Sequence, residues 1–452
     1  MIHRPPSAFR SHASALVIGS ALLLAGCNEK ADVAIEKGYG SDPALPAPKS
    51  SWIPTVNVAT AIGWPKDAKP EAASGFAVNA FASGLTHPRT VYTLPNGDVL
   101  VAESNAPPKP DDGKSIRGWF FSYFQGKAGA GVPSANRITL LRDADGDGVA
   151  EVKTTFLRGL NSPFGVALVG NDLYVANTDA IMKFPYKEGE TSISIPGTKL
   201  ADLPGGRINH HWTKDLTASK DGTKLYATVG SNSNVGENGL DAEKDRAAIL
   251  EVDILTGKSR VFASGLRNPN GPAWQPDSGE LWVVVNERDE LGSDLVPDYM
   301  TSVKDGGFYG WPFSYYGNHV DVRVKEQEPD LVAKAIVPDY ALGPHTASLG
   351  LTFGRGELFP SSYKGGAFIG QHGSWNRNPR SGYKVIFVPF TNGKPSGPPQ
   401  DILTGFLNKD GEAQGRPVGV TFDKRGALLV ADDVGNVIWR VTPAVKSAAI
   451  SN

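Results

Sequence analysis

One short pattern recurs six times between residues 84 and 433, and it limits the folds open to this chain more than any other feature. A glycine-containing turn leads into a short strand. A second turn follows, and then an apolar strand that ends in a polar or acidic residue. The first copy is "GLTHPRTVYTLPNGDVLVAES", residues 84–104, and the second is "GLNSPFGVALVGNDLYVANTD", residues 159–179. "LPGGRINHHWTKDL", residues 203–216, opens the third, which runs on to Ser231. The fourth is "GLRNPNGPAWQPDSGELWVVVNERD", residues 265–289. A looser fifth runs from "GPHTASLGLTFGRG" to "GAFIGQHGSWN", and "GRPVGVTFDKRGALLVADD", residues 415–433, is the sixth. Segments such as "RITLLRD" and "AILEVDILTGKSRVFAS" supply further strands, and helical periodicity is weak. Repeated strand pairs with turn residues at both ends predict radial repetition, since a sandwich would not repeat six times in phase. The expected fold is all-β, a six-bladed β-propeller, with seven blades as the competing count.

Composition agrees with many short strands and turns: the chain has 52 glycines and 34 prolines. A formal net charge of -2 gives no reason to expect nucleic acid as a partner. No glycine-rich nucleotide loop is present, which disfavours NAD. Before the repeats, Arg4 and Arg10 precede the apolar run "ASALVIGSALLLAG", too short to span a bilayer comfortably and flanked as a signal peptide is. The run ends at Cys27, the chain's single cysteine, which cannot form an internal disulfide. "LAGC" resembles the bacterial lipoprotein cleavage box, which implies a lipid on Cys27, an exported protein on the periplasmic side, and a membrane anchor. Asn28 leans the sorting towards the outer membrane. The expected divisions are a signal peptide at 1–26, a tether and lead-in at 27–75, and the propeller at 76–445.

In a propeller, the turns that enter the innermost strands ring one end of the central channel. His87, Asn161, His211, Arg267 with Asn268, His345 and Arg416 sit at or near that corresponding place in their repeats. Three histidines and two arginines around one axis are more convergent polarity than solvation of a channel mouth needs.

"GLRNPNG", residues 265–271, and "GGFYGWP", residues 306–312, together with the repeats from about 75 to 442, resemble the soluble PQQ-dependent sugar dehydrogenases, particularly the sorbosone and aldose dehydrogenase branch. The resemblance implies PQQ and Ca2+ as cofactors, a sugar substrate, and electrons passed to an external acceptor such as a cytochrome or quinone. It also implies a histidine base ten residues before the aspartate of a Pro-Asp-Gly-type turn. His211 stands ten residues before Asp221, so His211 is the expected base. Arg267 and Asn268 match the family's Arg-Asn at the quinone oxygens, with the guanidinium stabilising charge on reduction. Arg416 matches a basic residue that pairs with a PQQ carboxylate, and Arg377 stands in for a lysine of the family. His345 and His372 are expected in the same pocket. Asn161, His210, Tyr309 and Trp311 are the expected substrate contacts. The family's calcium position falls in "NERDELG", which nominates Asp289 and Glu290. His210 replaces the aspartate that precedes the family's base, and Leu160 replaces a glutamine near the substrate. A non-catalytic binding propeller and a metal-dependent lactonase of the same architecture are the alternatives.

Two features lie outside this pattern. "DADGDGVAE", residues 143–151, places Asp143, Asp145 and Asp147 at alternate positions around a glycine turn, as a calcium loop or an acidic hairpin would. "SIRGWFFSYFQGKAGAG", residues 115–131, is an aromatic-rich insertion expected to pack on the body, with a membrane- or partner-facing role as the alternative.

Overall fold

The computed structural model describes residues 29–49, 55–108, 123–355 and 358–444. Cys27 and residues 115–122 of the aromatic insertion lie outside this set. The repeats form six antiparallel sheets around an axis, a six-bladed β-propeller. Blade 1 contains Pro88–Thr93, Val99–Glu103, Arg137–Arg142 and Val152–Leu157, in that order from the axis outwards. Blades 2 to 5 follow over 166–202, 216–264, 269–344 and 348–404. Each sequence repeat supplies the two inner strands of one blade, and the segments between repeats supply the outer two.

The apolar alternation of these strands is explained by blade-on-blade packing. Val99–Glu103 is buried along its whole length because neighbours cover both faces of its sheet. Between blades 1 and 2, Leu100, Leu140 and Phe156 pack with Val166, Leu173 and Val175. Burial of each such side chain contributes roughly 1.5–3 kcal/mol relative to exposure, and comparable clusters recur between the other blades.

The ring closes through the N-terminal part of the chain. Phe76–Ser83 forms the outermost strand of blade 6, antiparallel to Val437–Pro443, with Val78 opposite Val441. The preceding described residues are fastened to the body as well. Tyr39–Gly40 adds an edge strand to blade 4, and Glu71–Ala72 adds one to blade 5. The Glu29 carboxylate accepts hydrogen bonds from Ser293 N at 2.9 Å and Ser293 Oγ at 2.6 Å.

The channel is closed along the axis. Phe164, Trp212, Leu349 and Val418, from four different blades, form one apolar plug. The inner strands approach so closely that a Cβ on Gly350 would stand 2.2 Å from the Val418 carbonyl oxygen. A site at the turn-bearing end therefore opens in one direction only.

Candidate active site

At that end lies a cavity of about 460 Å³. The turns entering the inner strands contribute His87, Arg89, His210, His211 and Asn268 to its wall, with Trp212 and Leu349 from the plug. The long connection after Glu103 adds Asn105, Ala106, Gln125, Ala128 and Ala130, so the described part of the insertion forms one side. Asn286, His372 and Asp433 complete it from the ends of the second strands of blades 4, 5 and 6.

His211 is held in one tautomer. Its Nδ1 lies 2.8 Å from the Ser231 carbonyl oxygen and 3.0 Å from Ser231 Oγ. A carbonyl can only accept, so Nδ1 carries the proton and Nε2 keeps its lone pair. The Ser231 hydroxyl itself donates to Ser233 O at 2.7 Å, which leaves its oxygen free to accept as well. Burial pushes the ring's pKa well below its usual value, the Arg267 charge adds to this, and the Ser231 carbonyl opposes it. The ring is thus neutral at neutral pH and offers a free lone pair. Gly230 makes the approach possible: a Cβ there would lie 2.4 Å from both His211 Cβ and Asn268 Oδ1.

A second cluster gathers on Asp433. Its carboxylate accepts from Arg89 Nη1 and lies 2.9 and 3.1 Å from His372 Nε2, with His87 Nε2 at 3.5 Å. Burial alone would raise the pKa of this carboxyl; His372, His87 and Arg89 together hold it far below the carboxylate range. Burial lowers His87 to about 4, against the pull of Asp433, and lowers His372 in the same way. The Arg89 guanidinium lies over the rings of Phe164 and Trp212, 5.8 and 5.9 Å from their centroids. Its Nε is buried without a partner, and so is Asn268 Oδ1.

A family profile described as Glucose / Sorbosone dehydrogenase matches residues 173–374, and one described as TrAA12-like matches residues 321–444. An uncharacterized protein of Borreliella burgdorferi is 30% identical over 297 residues, covering 64% of this chain and 77% of that protein. The chain belongs to the glucose/sorbosone dehydrogenase family. That family is one of oxidoreductases. A pyrroloquinoline quinone-dependent sugar dehydrogenase of Hypocrea jecorina is 23% identical, across 80% of this chain and 87% of its own length. The solved PQQ domain of a Coprinopsis cinerea pyranose dehydrogenase, in its holo form, superposes with a TM-score of 0.66 at 20% identity, over 85% of this chain and 100% of that one. The last likeness establishes the shared fold.

Several positions expected from the family resemblance are placed elsewhere. Arg267 stands behind the wall, and all five of its N–H groups are engaged: with Asn234 O and Oδ1, Asn286 O, Glu287 O and Asp289 Oδ2. It reaches His211 through its charge and has no donor left for a quinone oxygen. His345 has Nε2 2.9 Å from Gly292 O and Nδ1 3.6 Å from Asp289 Oδ1, outside the cavity wall. Arg377 binds Ser293 O and Pro379 O. Arg416 lies over the Tyr383 ring at 4.9 Å and donates to Ala59 O. Neither arginine lines the cavity.

The expected substrate contacts divide in the same way. His210 is exposed on the cavity wall. Asn161 is exposed outside it and donates to Asp179 Oδ2. Tyr309 and Trp311 are buried structural residues that donate to Ser302 O and Asn234 O. The Asp289 carboxylate is already enclosed. Burial would raise its pKa, but His345, Arg267 and Asn376 bring it to about 2. Among the described residues, the cluster with metal-ligand geometry is instead Asp143, Asp145, Asp147 and Glu151, whose ligand atoms lie within 4.8 Å of one another. Glu290 is not part of it. This loop joins the third and fourth strands of blade 1, at the end of the propeller opposite the cavity. Arg425 from blade 6 donates to Gly146 O beside it.

Arg89, Asp433, Ser231 and Asn286 were not anticipated. Register does distinguish the residues that flank them in the site. Aligning the repeats on Pro88 and Pro269 pairs His87 with Asn268, both in the wall, and pairs Arg267 with Thr86, outside it.

Proposed function

We propose that this protein is a PQQ-dependent dehydrogenase that oxidises an aldose or a related, sorbosone-like sugar in the cavity described above. The residues present fit the cofactor, a planar tricyclic quinone with three carboxylates. Arg89 offers a buried, unpartnered Nε–H to an anion, and Asn268 offers a side-chain amide whose Oδ1 has no protein partner. Trp212 and Leu349 supply flat apolar contact, and the plug keeps the cavity one-ended. Arg89, Asn268 and His87 are the residues that would hold it. Bound there, PQQ supplies an electrophilic quinone carbonyl able to take up a hydride equivalent from a carbinol carbon.

His211 carries the other half of the chemistry. Oxidising the carbinol to a carbonyl also releases its hydroxyl proton, and the Nε2 lone pair of His211 accepts it. Ser231 fixes the ring's direction through Nδ1. Burial, helped by the Arg267 charge one layer behind, keeps the resting ring neutral. The observation that carries this reading is the carbonyl-fixed tautomer of His211 in a one-ended, donor-rich cavity.

Calcium is assigned to the 143–151 loop, where it would brace the far end of blade 1. The electrons pass to an external acceptor, a cytochrome or a quinone. We further place the protein in the periplasm, held through a lipid on Cys27, with the outer membrane as its site. The test mixes purified apo-protein with PQQ and Ca2+, follows binding by absorbance and calorimetry, and assays dye reduction across a panel of aldoses. Saturable PQQ binding with sugar-dependent reduction supports the proposal; no PQQ binding overturns it.

A further inference from the structure

The chain ends its second blade-6 strand with two aspartates whose surroundings are opposite. Asp432 faces the body: its Oδ2 accepts from Trp64 Nε1 at 2.6 Å and Trp439 Nε1 at 3.0 Å. Its Oδ1 accepts from Arg416 N and Gly435 N, both at 2.8 Å. Asp432 is thus fully used as a structural latch. The Asp433 carboxylate faces the cavity and meets side chains that line it: Arg89, His372 and His87.

The chemistry of that contact settles where the His372 proton lies. Both Asp433 oxygens sit within 3.1 Å of His372 Nε2. The carboxylate is ionised under the combined pull of its three neighbours, so it can only accept. The neutral His372 ring must therefore carry its proton on Nε2 and its lone pair on Nδ1. Among the described residues, none hydrogen-bonds to Nδ1. The same carboxylate fixes Arg89 through Nη1 while leaving Nε unpartnered.

We propose that Asp433 is a positioning residue: it holds His372 with its proton on Nε2, so that Nδ1 presents a hydrogen-bond acceptor to a hydroxyl of the bound sugar, and it pins Arg89 beside it. The cavity then offers two imidazole acceptors, His211 Nε2 and His372 Nδ1, each oriented by a different acceptor behind it. The kinetic part of this proposal rests on the dehydrogenase reading, whereas the tautomer does not.

The test uses 15N-histidine-labelled protein, whose eight histidines give a resolvable side-chain spectrum once His372→Gln has assigned the His372 signals. In the apo-protein at neutral pH, His372 should show a protonated Nε2 and an unprotonated Nδ1. Asp433→Asn places an amide donor against the ring and should move the proton to Nδ1, the logic by which an Asp-to-Asn change spoils a histidine's tautomer elsewhere. In the PQQ-loaded enzyme the same variant should lower kcat by about 10²-fold. A wild-type ring protonated on Nδ1, or an unchanged tautomer in Asp433→Asn, overturns the proposal, as does an unchanged kcat. Should Asp433→Asn fail to fold, the wild-type spectrum alone decides the tautomer. Failure of the wild type to bind PQQ would remove the dehydrogenase reading while leaving the spectrum decisive for Asp433.

Discussion

His211 is oriented by the backbone carbonyl of Ser231, 2.8 Å from its Nδ1. A carbonyl does this without adding a formal charge, whereas a carboxylate would raise the basicity of the ring. His210, the neighbour in sequence, takes no part in that bond; its backbone N–H reaches Asn232 Oδ1 at 3.4 Å. His211→Ala should therefore lower kcat by about 10²- to 10⁴-fold, and His210→Ala should change it far less. Steady-state kinetics on both variants, with circular dichroism to confirm folding, checks the contrast. Equal losses would remove His211 from its role.

Arg267 acts from behind the wall, as a tie among Asn234, Asn286, Glu287 and Asp289. Arg267→Gln takes one of two cationic partners, the other being His345, from the part-buried Asp289 carboxylate, a change that costs at most about 3–5 kcal/mol in comparable cases. Denaturant unfolding should show a loss of that order. A variant of unchanged stability that binds PQQ poorly would instead mean that Arg267 meets the cofactor directly.

The propeller itself was legible because turn glycines and prolines and period-two strands repeat locally, and each copy marks its own strands. The site was legible only in part. His211 and Asn268 follow from their place in the repeat. Arg89 does not, because the inner strand of blade 1 shifts register between Pro88 and Thr90, and blades 4 and 6 shift at corresponding places. Such bulges re-aim side chains, and nothing in the residue types announces them. Asp432 and Asp433 look alike in sequence, yet one faces two tryptophans and the other two histidines and an arginine.

His345 gives the stability a pH dependence of known sign. Both of its ring nitrogens face acceptors, Gly292 O and Asp289 Oδ1, so the doubly protonated ring fits the site. Burial alone would lower its pKa, but Asp289 outweighs this and the net direction is upward, with the Gly292 carbonyl and Asp298 assisting. The folded-state value thus lies above the unfolded one, about 6.5. The stabilisation is fully present below that pH and is lost as pH rises through the folded value. Urea unfolding between pH 6 and 9 should show the decline, and His345→Gln should flatten it. A decline of equal size in both proteins would assign it to other groups.

Removing calcium should act on stability before activity. The four carboxylates of the 143–151 loop lie at the end opposite the cavity, so a metal there braces blade 1 without touching substrate. Saturating Ca2+ at 100 times its Kd stabilises by about 2.7 kcal/mol, and a chelator should reverse the resulting rise in Tm. Asp145→Asn with Asp147→Asn should abolish the rise and leave PQQ binding intact. A Ca2+-dependent rise that survives both substitutions would locate the ion elsewhere.

Catalysis here requires a cavity that binds PQQ and His211 as its proton acceptor. Single-turnover reduction of PQQ-loaded protein by an aldose tests both at once, read from the quinone absorbance in wild type and His211→Ala. The expected result is stoichiometric PQQ uptake by both proteins, fast reduction in the wild type, and reduction slowed by about 10² or more in the variant. Equal reduction rates in the two proteins, or no PQQ uptake by the wild type, would contradict it.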